Sequence, residues 1–447
     1  MPTTFSIISL GCPKNLVDAE RLVAALKEAG YRFELEPELA ELILVNTCGF
    51  IEAARQESLQ AISDMAKFKQ TGSCRGLVVT GCLSQRYPQS LWEQIPAVDA
   101  FLGIGGQDDI VAACDQVLDN SKDRPCLVHD PDTLVEETIP RQQLTVGHSA
   151  YLKIADGCDN RCAYCAIPII RGKHRSRKLE ILEQEAREMA ARGVRELNLI
   201  AQDTTMYGTD LYSESRLTEL LDRLCEIEDL RWIRLLYTHP GHYTDRLIET
   251  VARQKKICKY LDLPLQHICD DLLKAMNRHV TRQEIIDLID KLRAGIPRLA
   301  LRTTLIVGLP GETEAHFREL LSFVQKTHFE RLGAFSYSPE EGTPAAEMPQ
   351  RARQGVADRR LDQLLRLQSR ISLEHNRSMT GEELNVLVDA SLPGETWDYM
   401  GRTQAEAPDI DGLIYLRGKD LEPGDFVRAQ VVGYSEYDLF AEVVGKQ

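Results

Sequence analysis

Tyr151-Leu152-Lys153-Ile154-Ala155-Asp156-Gly157-Cys158-Asp159-Asn160-Arg161-Cys162-Ala163-Tyr164-Cys165 opens as an apolar strand and closes on three cysteines. The spacing is C-x3-C-x2-C, with no fourth cysteine or histidine close enough in sequence to finish the set. A structural zinc site normally takes four protein ligands, and ferredoxin runs also bring four thiolates to each cluster. Three thiolates fit a [4Fe–4S] cluster with one iron left open for chemistry. A zinc knuckle or a chance grouping is the competing reading. A trio placed just after a strand sits at the carboxyl edge of a parallel sheet, where β/α barrels keep their active sites.

The alternation continues outward from this stretch. Tyr151–Ile154, Leu197–Ile200, Trp232–Tyr237, Tyr260–Leu263, Ala300–Val307 and Leu332–Tyr337 read as six strands separated by helical segments. Six such units predict a partial (β/α)6 barrel, open on one side. A long polar helix over roughly Gln354 to Met379 leaves it.

The first hundred residues carry the same rhythm. Phe5–Leu10, Leu42–Val45, Leu77–Val79 and Ala100–Ile104 read as strands, and Leu16–Ala29 as a helix stopped by Gly30. This alternation predicts a parallel sheet with helices on its faces. Three strands end on a cysteine beside a glycine: Gly11-Cys12, Cys48-Gly49 and Gly81-Cys82. Strand ends at the carboxyl edge are neighbours in space. Three thiolates can therefore converge there, again one short of a closed set; buried cysteines acting as small hydrophobes are the alternative. Cys74, Cys114, Cys126, Cys225, Cys258 and Cys269 lack partners at ligand spacing and read as structural.

The fold class expected is thus α/β in three parts: an N-terminal parallel α/β sheet domain (1–115), the partial barrel (144–377) and a small five-stranded antiparallel β-barrel (378–447), with a linker at 116–143. The tail reads as strands Leu384–Val388, Leu413–Leu416, Phe426–Val432 and Leu439–Val443, broken by Pro-Gly pairs, in the shape class of oligonucleotide-binding folds. It holds fourteen Asp or Glu against five Lys or Arg, within a chain of net charge −15. That balance argues against a bulk polyanion and suits a basic protein partner, unless the acidic face is merely solvated. No apolar run approaches the ~20 residues needed to span a bilayer. Met1 to Leu10 lacks a basic n-region and reads as a strand, not a signal peptide. Twelve cysteines, several in ligand-like contexts, suit a reducing cytoplasmic setting.

With both trios placed, the chain resembles the radical S-adenosylmethionine (SAM) methylthiotransferases along nearly its full length. The aromatic Tyr164 between the last two cysteines is a usual companion in radical-SAM enzymes. Gly11-Cys12-Pro13-Lys14-Asn15-Leu16-Val17-Asp18, Arg161 and Ile167-Pro168-Ile169-Ile170-Arg171-Gly172 are similar to the branch that modifies a ribosomal protein. Asn198-Leu199-Ile200-Ala201-Gln202-Asp203, Pro264-Leu265-Gln266-His267, Met276-Asn277-Arg278 and Gly308-Leu309-Pro310-Gly311-Glu312-Thr313 resemble further family segments, and Ile268-Cys269 departs mildly from them. The resemblance implies a cluster domain, a radical-SAM barrel and a carboxy-terminal TRAM domain, in that order.

It also implies the chemistry. The substrate would be an aspartate of small-subunit ribosomal protein twelve, free or on the ribosome, and the product 3-methylthioaspartate. Breaking an unactivated C–H bond needs a radical, which a cofactor must make. Cys158, Cys162 and Cys165 would hold the [4Fe–4S] cluster that cleaves SAM. Cys12, Cys48 and Cys82 would hold a second [4Fe–4S] cluster carrying the sulfur, with one SAM as methyl donor and one as radical source. The clusters are expected on either side of one cavity, and an electron donor and a sulfur donor would be needed.

Gln202 and Asp203 are candidates to bond the SAM amino group or ribose, or else simply cap a strand end. Within the basic run Arg171, Lys173, Arg175, Arg177 and Lys178, one arginine, Arg171 among them, is a candidate clamp on a SAM or substrate carboxylate, with at least three of the five expected in solvent. Gly308 would make room for SAM adenosine, since the Lys and Ser/Thr of a P-loop are absent. His267 reads as a structural histidine rather than a base. Two other functions stay open: a tRNA methylthiotransferase, which would favour a basic tail, and a non-catalytic iron–sulfur sensor or carrier.

Overall fold

The computed structural model describes residues 2–119, 124–132 and 140–446. Part of the 116–143 linker reading therefore falls on residues 120–123 and 133–139, outside the described residues. The chain divides into two compact units.

The first unit comprises Met1–Leu144, Ala155–Arg177 and Ser338–Ala346. Its sheet runs Arg32–Phe33, Thr4–Ser9, Leu42–Thr47, Gly76–Gly81, Ala100–Leu102 and Cys126–Leu127 in spatial order, all parallel. Alternation along each strand splits its side chains between two faces. Leu42, Leu44 and Val78 pack with Leu22, Val23 and Leu26 of helix Pro13–Glu28 and with Ile110 and Ala113 of helix Ile110–Leu118. Ile43, Val45, Leu77 and Val79 pack on the opposite face with Ile62, Leu83 and Leu91. Both faces are covered, as a parallel sheet requires. Cys126 lies in the short sixth strand.

The second unit comprises Thr145–Ile154, Lys178–Tyr337 and Glu347–Gln447. Strands Ser149–Lys153, Glu196–Ile200, Trp232–Leu235, Ile257–Asp262, Ala300–Val307 and Arg331–Ser336 lie side by side in chain order, all parallel. No pairing joins the first to the last among the described residues, so the expected six-stranded open barrel is present. Helix Gln354–Ser378 follows it.

Five strands then close into a barrel: Glu383–Ser391, Tyr399–Arg402, Ile414–Arg417, Leu439–Lys446 and Phe426–Tyr434. The expected fifth strand, which the sequence did not place, is Tyr399–Arg402. One pairing departs from a purely antiparallel barrel: Ile414–Arg417 runs parallel to Leu439–Lys446.

The acidic tail needs a correction. Several of its carboxylates are tied up in internal ion pairs and hydrogen bonds. Glu406 pairs with Arg331 at 2.7 Å, and Asp411 accepts from the Tyr260 hydroxyl at 2.7 Å and faces Arg302 at 3.6 Å. Asp389 pairs with Arg402 at 2.8 Å. Their charge is spent within the fold, which weakens an attraction argument based on counting residues.

Candidate iron–sulfur site

All six candidate ligands fall in the first unit. Cys12 caps helix Pro13–Glu28, Cys48 follows strand Leu42–Thr47, and Cys82 follows strand Gly76–Gly81 and opens a short helix. The three turns interlock because glycines let backbone approach closely. A Cβ on Gly11, where φ is +89°, would lie 2.7 Å from Cys48 Cβ and 3.0 Å from its Sγ. A Cβ on Gly49 would lie 2.7 Å from Leu83 Cα, and one on Gly81 2.6 Å from the Thr47 carbonyl oxygen.

Asn15 fastens the same turns. Its Nδ2 donates to the carbonyls of Leu10 (3.0 Å) and Thr47 (2.8 Å), while its Oδ1 accepts from Cys82 Sγ at 3.3 Å. Asn46 Nδ2 donates in turn to the Asn15 carbonyl at 2.7 Å. Ser58 brackets Cys48, accepting from its N–H at 3.0 Å and donating to its carbonyl at 2.9 Å.

The thiols sense one another. Burial pushes Cys82 up to about 12, and the charges of Cys12 and Cys48 add to this while Arg171 opposes it. Cys48 is raised chiefly by burial and also by Cys12. Burial also acts on Cys12, but Lys14, Arg171 and nearby backbone N–H groups outweigh it and lower its value. Burial thus disfavours the thiolates of Cys48 and Cys82, and a cation among the three sulfurs would offset that cost. An iron–sulfur group supplies that charge, so the donor set fits one.

The second trio lies on a loop with its own fixings. Gly157 (φ +75°) leaves no space for a Cβ beside the Lys173 carbonyl, and the Cys158 N–H donates to the Gly172 carbonyl at 3.1 Å. The Cys165 N–H donates to the Cys162 carbonyl at 3.0 Å, and Arg161 takes a positive φ of 49°. Asp132 closes the loop, accepting from the Lys173 N–H at 2.7 Å and pairing with Arg175 at 3.1 Å. Cys82 packs with Ala166 and Ile170, just past this trio, in one small apolar cluster.

The other candidates are placed differently. Arg171 is buried, and both terminal nitrogens are engaged: Nη1 by Asp156 at 2.8 Å, Nη2 by Asn15 at 2.6 Å and Asp18 at 2.9 Å. Its fork serves these internal acceptors. Within the basic run only Lys173 and Lys178 are exposed, fewer than expected.

In the second unit, Gln202 is half-buried beyond strand Glu196–Ile200. Asp203 behaves as a cap: its Oδ1 accepts from the Thr205 N–H at 3.0 Å and its Oδ2 bonds His242 Nδ1 at 2.9 Å. Despite burial, His242 and neighbouring groups hold Asp203 down to about 2. Asp203, His239 and His242 each bring a ligand atom within 4.8 Å of the others. His239 Nδ1, however, already accepts the Gly241 N–H at 3.1 Å, and the two imidazoles stack with centroids 4.6 Å apart. The set serves as a strand-end brace.

Gly308 has φ +79°, and a Cβ there would lie 2.7 Å from Ala357 Cβ. Helix Gln354–Ser378 occupies the space that a side chain there would take. His267 is buried and lowered to about 3, chiefly by burial; its Nδ1 accepts from the Cys269 N–H at 3.1 Å. Sequence reading missed Asp132, Asp156, Asp18 and Ser58. Asn15 and Asp18 stood within the family-like segment after Cys12, but nothing local marked their partners.

A partial barrel with a three-cysteine loop after its first strand defines a radical-SAM enzyme. Residues 152–324 match the Radical SAM superfamily, 4–103 the Uncharacterized protein family UPF0004, and 380–444 the TRAM domain. The chain is 47% identical to the "Ribosomal protein uS12 methylthiotransferase RimO" of Desulforamulus reducens, over 99% of this chain and 100% of that protein. It is 46% identical to proteins of the same name from Geotalea uraniireducens and Geobacter sulfurreducens, over 98% of each chain. The chain belongs to the radical-SAM methylthiotransferase family, in its ribosomal-protein branch.

Among solved structures, the radical SAM methyltransferase TsrM from Kitasatospora setae, with tryptophan and a SAM analogue bound, superposes with a TM-score of 0.56 at 13% identity, over 88% of this chain and 79% of that one. At that identity the likeness is one of fold. An iron–sulfur cluster and SAM follow for this chain from its family. No helix among the described residues is long and apolar enough to cross a membrane.

Proposed function

We propose that this chain converts an aspartate of ribosomal protein uS12 to 3-methylthioaspartate in the cytosol, using one SAM as methyl donor and a second as radical source. The observation that carries this reading is the presence of two separate cysteine trios in one compact unit. Each trio is one thiolate short of closing a [4Fe–4S] cluster. When bound, one cluster would supply reductive cleavage of SAM and the other an open iron bearing the sulfur to be transferred.

Cys158, Cys162 and Cys165 would hold the first cluster, on a loop fixed by Gly157, Gly172 and Asp132. Cys12, Cys48 and Cys82 would hold the second, at turns tied by Asn15 and Asn46. Residues 1–115, 144–377 and 378–447 would then serve sulfur delivery, radical generation and substrate docking. A reductant and a sulfur source would act as further partners.

The deciding experiment offers uS12 and tRNA separately to the anaerobically reconstituted chain, with SAM and dithionite, and reads both by mass spectrometry. A gain of one methylthio group on uS12 is expected. Modified tRNA with untouched protein overturns the substrate. Absence of 5′-deoxyadenosine would leave only a non-catalytic iron–sulfur protein.

A further inference from the structure

Arg171 lies six residues past Cys165, at the end of the short helix Ile167–Arg171, and is 1% exposed. Its Nη1 is clamped by Asp156, at 3.1 and 2.8 Å. Its Nη2 faces Asn15 Oδ1 at 2.6 Å, Asp18 Oδ2 at 2.9 Å and Cys82 Sγ at 3.5 Å. Two hydrogens thus meet three acceptors, and the sulfur shares one.

As a thiol, Cys82 donates to Asn15 Oδ1 at 3.3 Å. A sulfur that ligated iron would carry no proton and could only accept, and Arg171 Nη2 is a donor in reach at 3.5 Å. The contact then becomes charge-assisted. A hydrogen bond and a positive charge at a ligand sulfur favour the reduced, more negative cluster and raise its potential.

We propose that Arg171 is a positioning residue through which the segment bearing Cys158, Cys162 and Cys165 sets the reduction potential of the cluster held by Cys12, Cys48 and Cys82. The inference rests on the proposed function only in taking those last three as cluster ligands. An ordinary buried ion pair accounts for Asp156 and Asp18, but not for a guanidinium edge directed at a ligand sulfur. Lysine in its place keeps the charge yet cannot fork between Asp156 and Cys82.

The test uses the full-length chain carrying C158A, C162A and C165A, so that only the N-terminal cluster forms. Reconstituted protein is titrated with dithionite and followed by electron paramagnetic resonance and iron analysis. R171K and R171Q should each lower the reduction equilibrium at least tenfold, about 59 mV for a one-electron couple. D156N, which removes an anion that partly neutralises Arg171, should shift the midpoint the other way. A general loosening of the fold does not predict opposite signs.

An unchanged midpoint in R171K and D156N with about four irons retained overturns the inference and leaves the cluster reading intact. A parent variant holding no iron removes both. Should R171Q lose its cluster, R171K and D156N still decide.

Discussion

Arg402 grips Glu196 with both terminal nitrogens, at 3.0 and 2.8 Å, and the pair lies entirely within the protein interior. Arg234 approaches the same carboxylate at 2.9 Å, and Asp389 takes the outer edge of Arg402. One carboxylate between two arginines fastens barrel strand Glu196–Ile200 to tail strand Tyr399–Arg402. Removing it takes this carboxylate from the buried Arg234 and leaves Arg402 with Asp389 alone. We expect E196Q to cost about 3–5 kcal/mol, the usual price of breaking a buried pair from one side. Urea unfolding against the parent chain measures it, and a change below about 1 kcal/mol contradicts the expectation.

The same carboxylate gives an acid limit. Burial opposes its ionisation, but Arg402 and Arg234 overcome this and lower Glu196 from 4.5 to about 2. The folded value lies below the unfolded one, so the stabilisation is complete above pH 4.5 and lost as pH falls towards 2. It is on the order of 3 kcal/mol. Thermal scans between pH 6 and 2.5 should show parent and E196Q converging at the acid end. Parallel curves would count against the pair.

Asn15→Ala removes the tie between the turns after the first and third strands of the chain and the acceptor next to Cys82. We expect iron to fall from about eight to about four per chain, at four per cluster, with far-ultraviolet dichroism unchanged. The C158A, C162A, C165A variant should reach the same count from the other side. Combining both changes should bring iron close to zero.

Gly308 and Gly311 share a positive φ, near +80°, but not a neighbourhood. At Gly311 the nearest atom to an added Cβ is Leu272 Cδ2 at 4.0 Å, so G311A meets only backbone strain, about 1 kcal/mol. G308A adds a clash with Ala357, expected to cost about 1–3 kcal/mol more. Equal melting temperatures for the two variants would show that helix Gln354–Ser378 gives way at no cost.

Legibility followed locality. The six barrel strands showed as apolar runs because they are buried along their length, and the cysteines at strand ends showed because each turn carries its own glycine. Tyr399–Arg402 was invisible: four residues, one of them an arginine whose burial depends on Glu196, over two hundred positions away. Asp389, Glu406 and Asp411 misled for the same reason, since their partners His148, Arg331 and Arg302 are remote in the chain. Arg171 looked like a ligand clamp because sequence shows a cation and hides Asp18, 153 positions earlier.

Residues 155–177 share their compact unit with the N-terminal sheet, although in sequence they interrupt the barrel. A chain shortened to begin after Leu144 would keep every cysteine of the Cys158 trio. It would lose Asp132, which closes that loop, together with Asn15, Asp18 and Cys82, against which Arg171 is buried. The two sulfur-rich loops are therefore heritable only as a set. Gene fission or domain shuffling at the obvious boundary would separate a loop from its own scaffold, and a working half-enzyme should not arise that way.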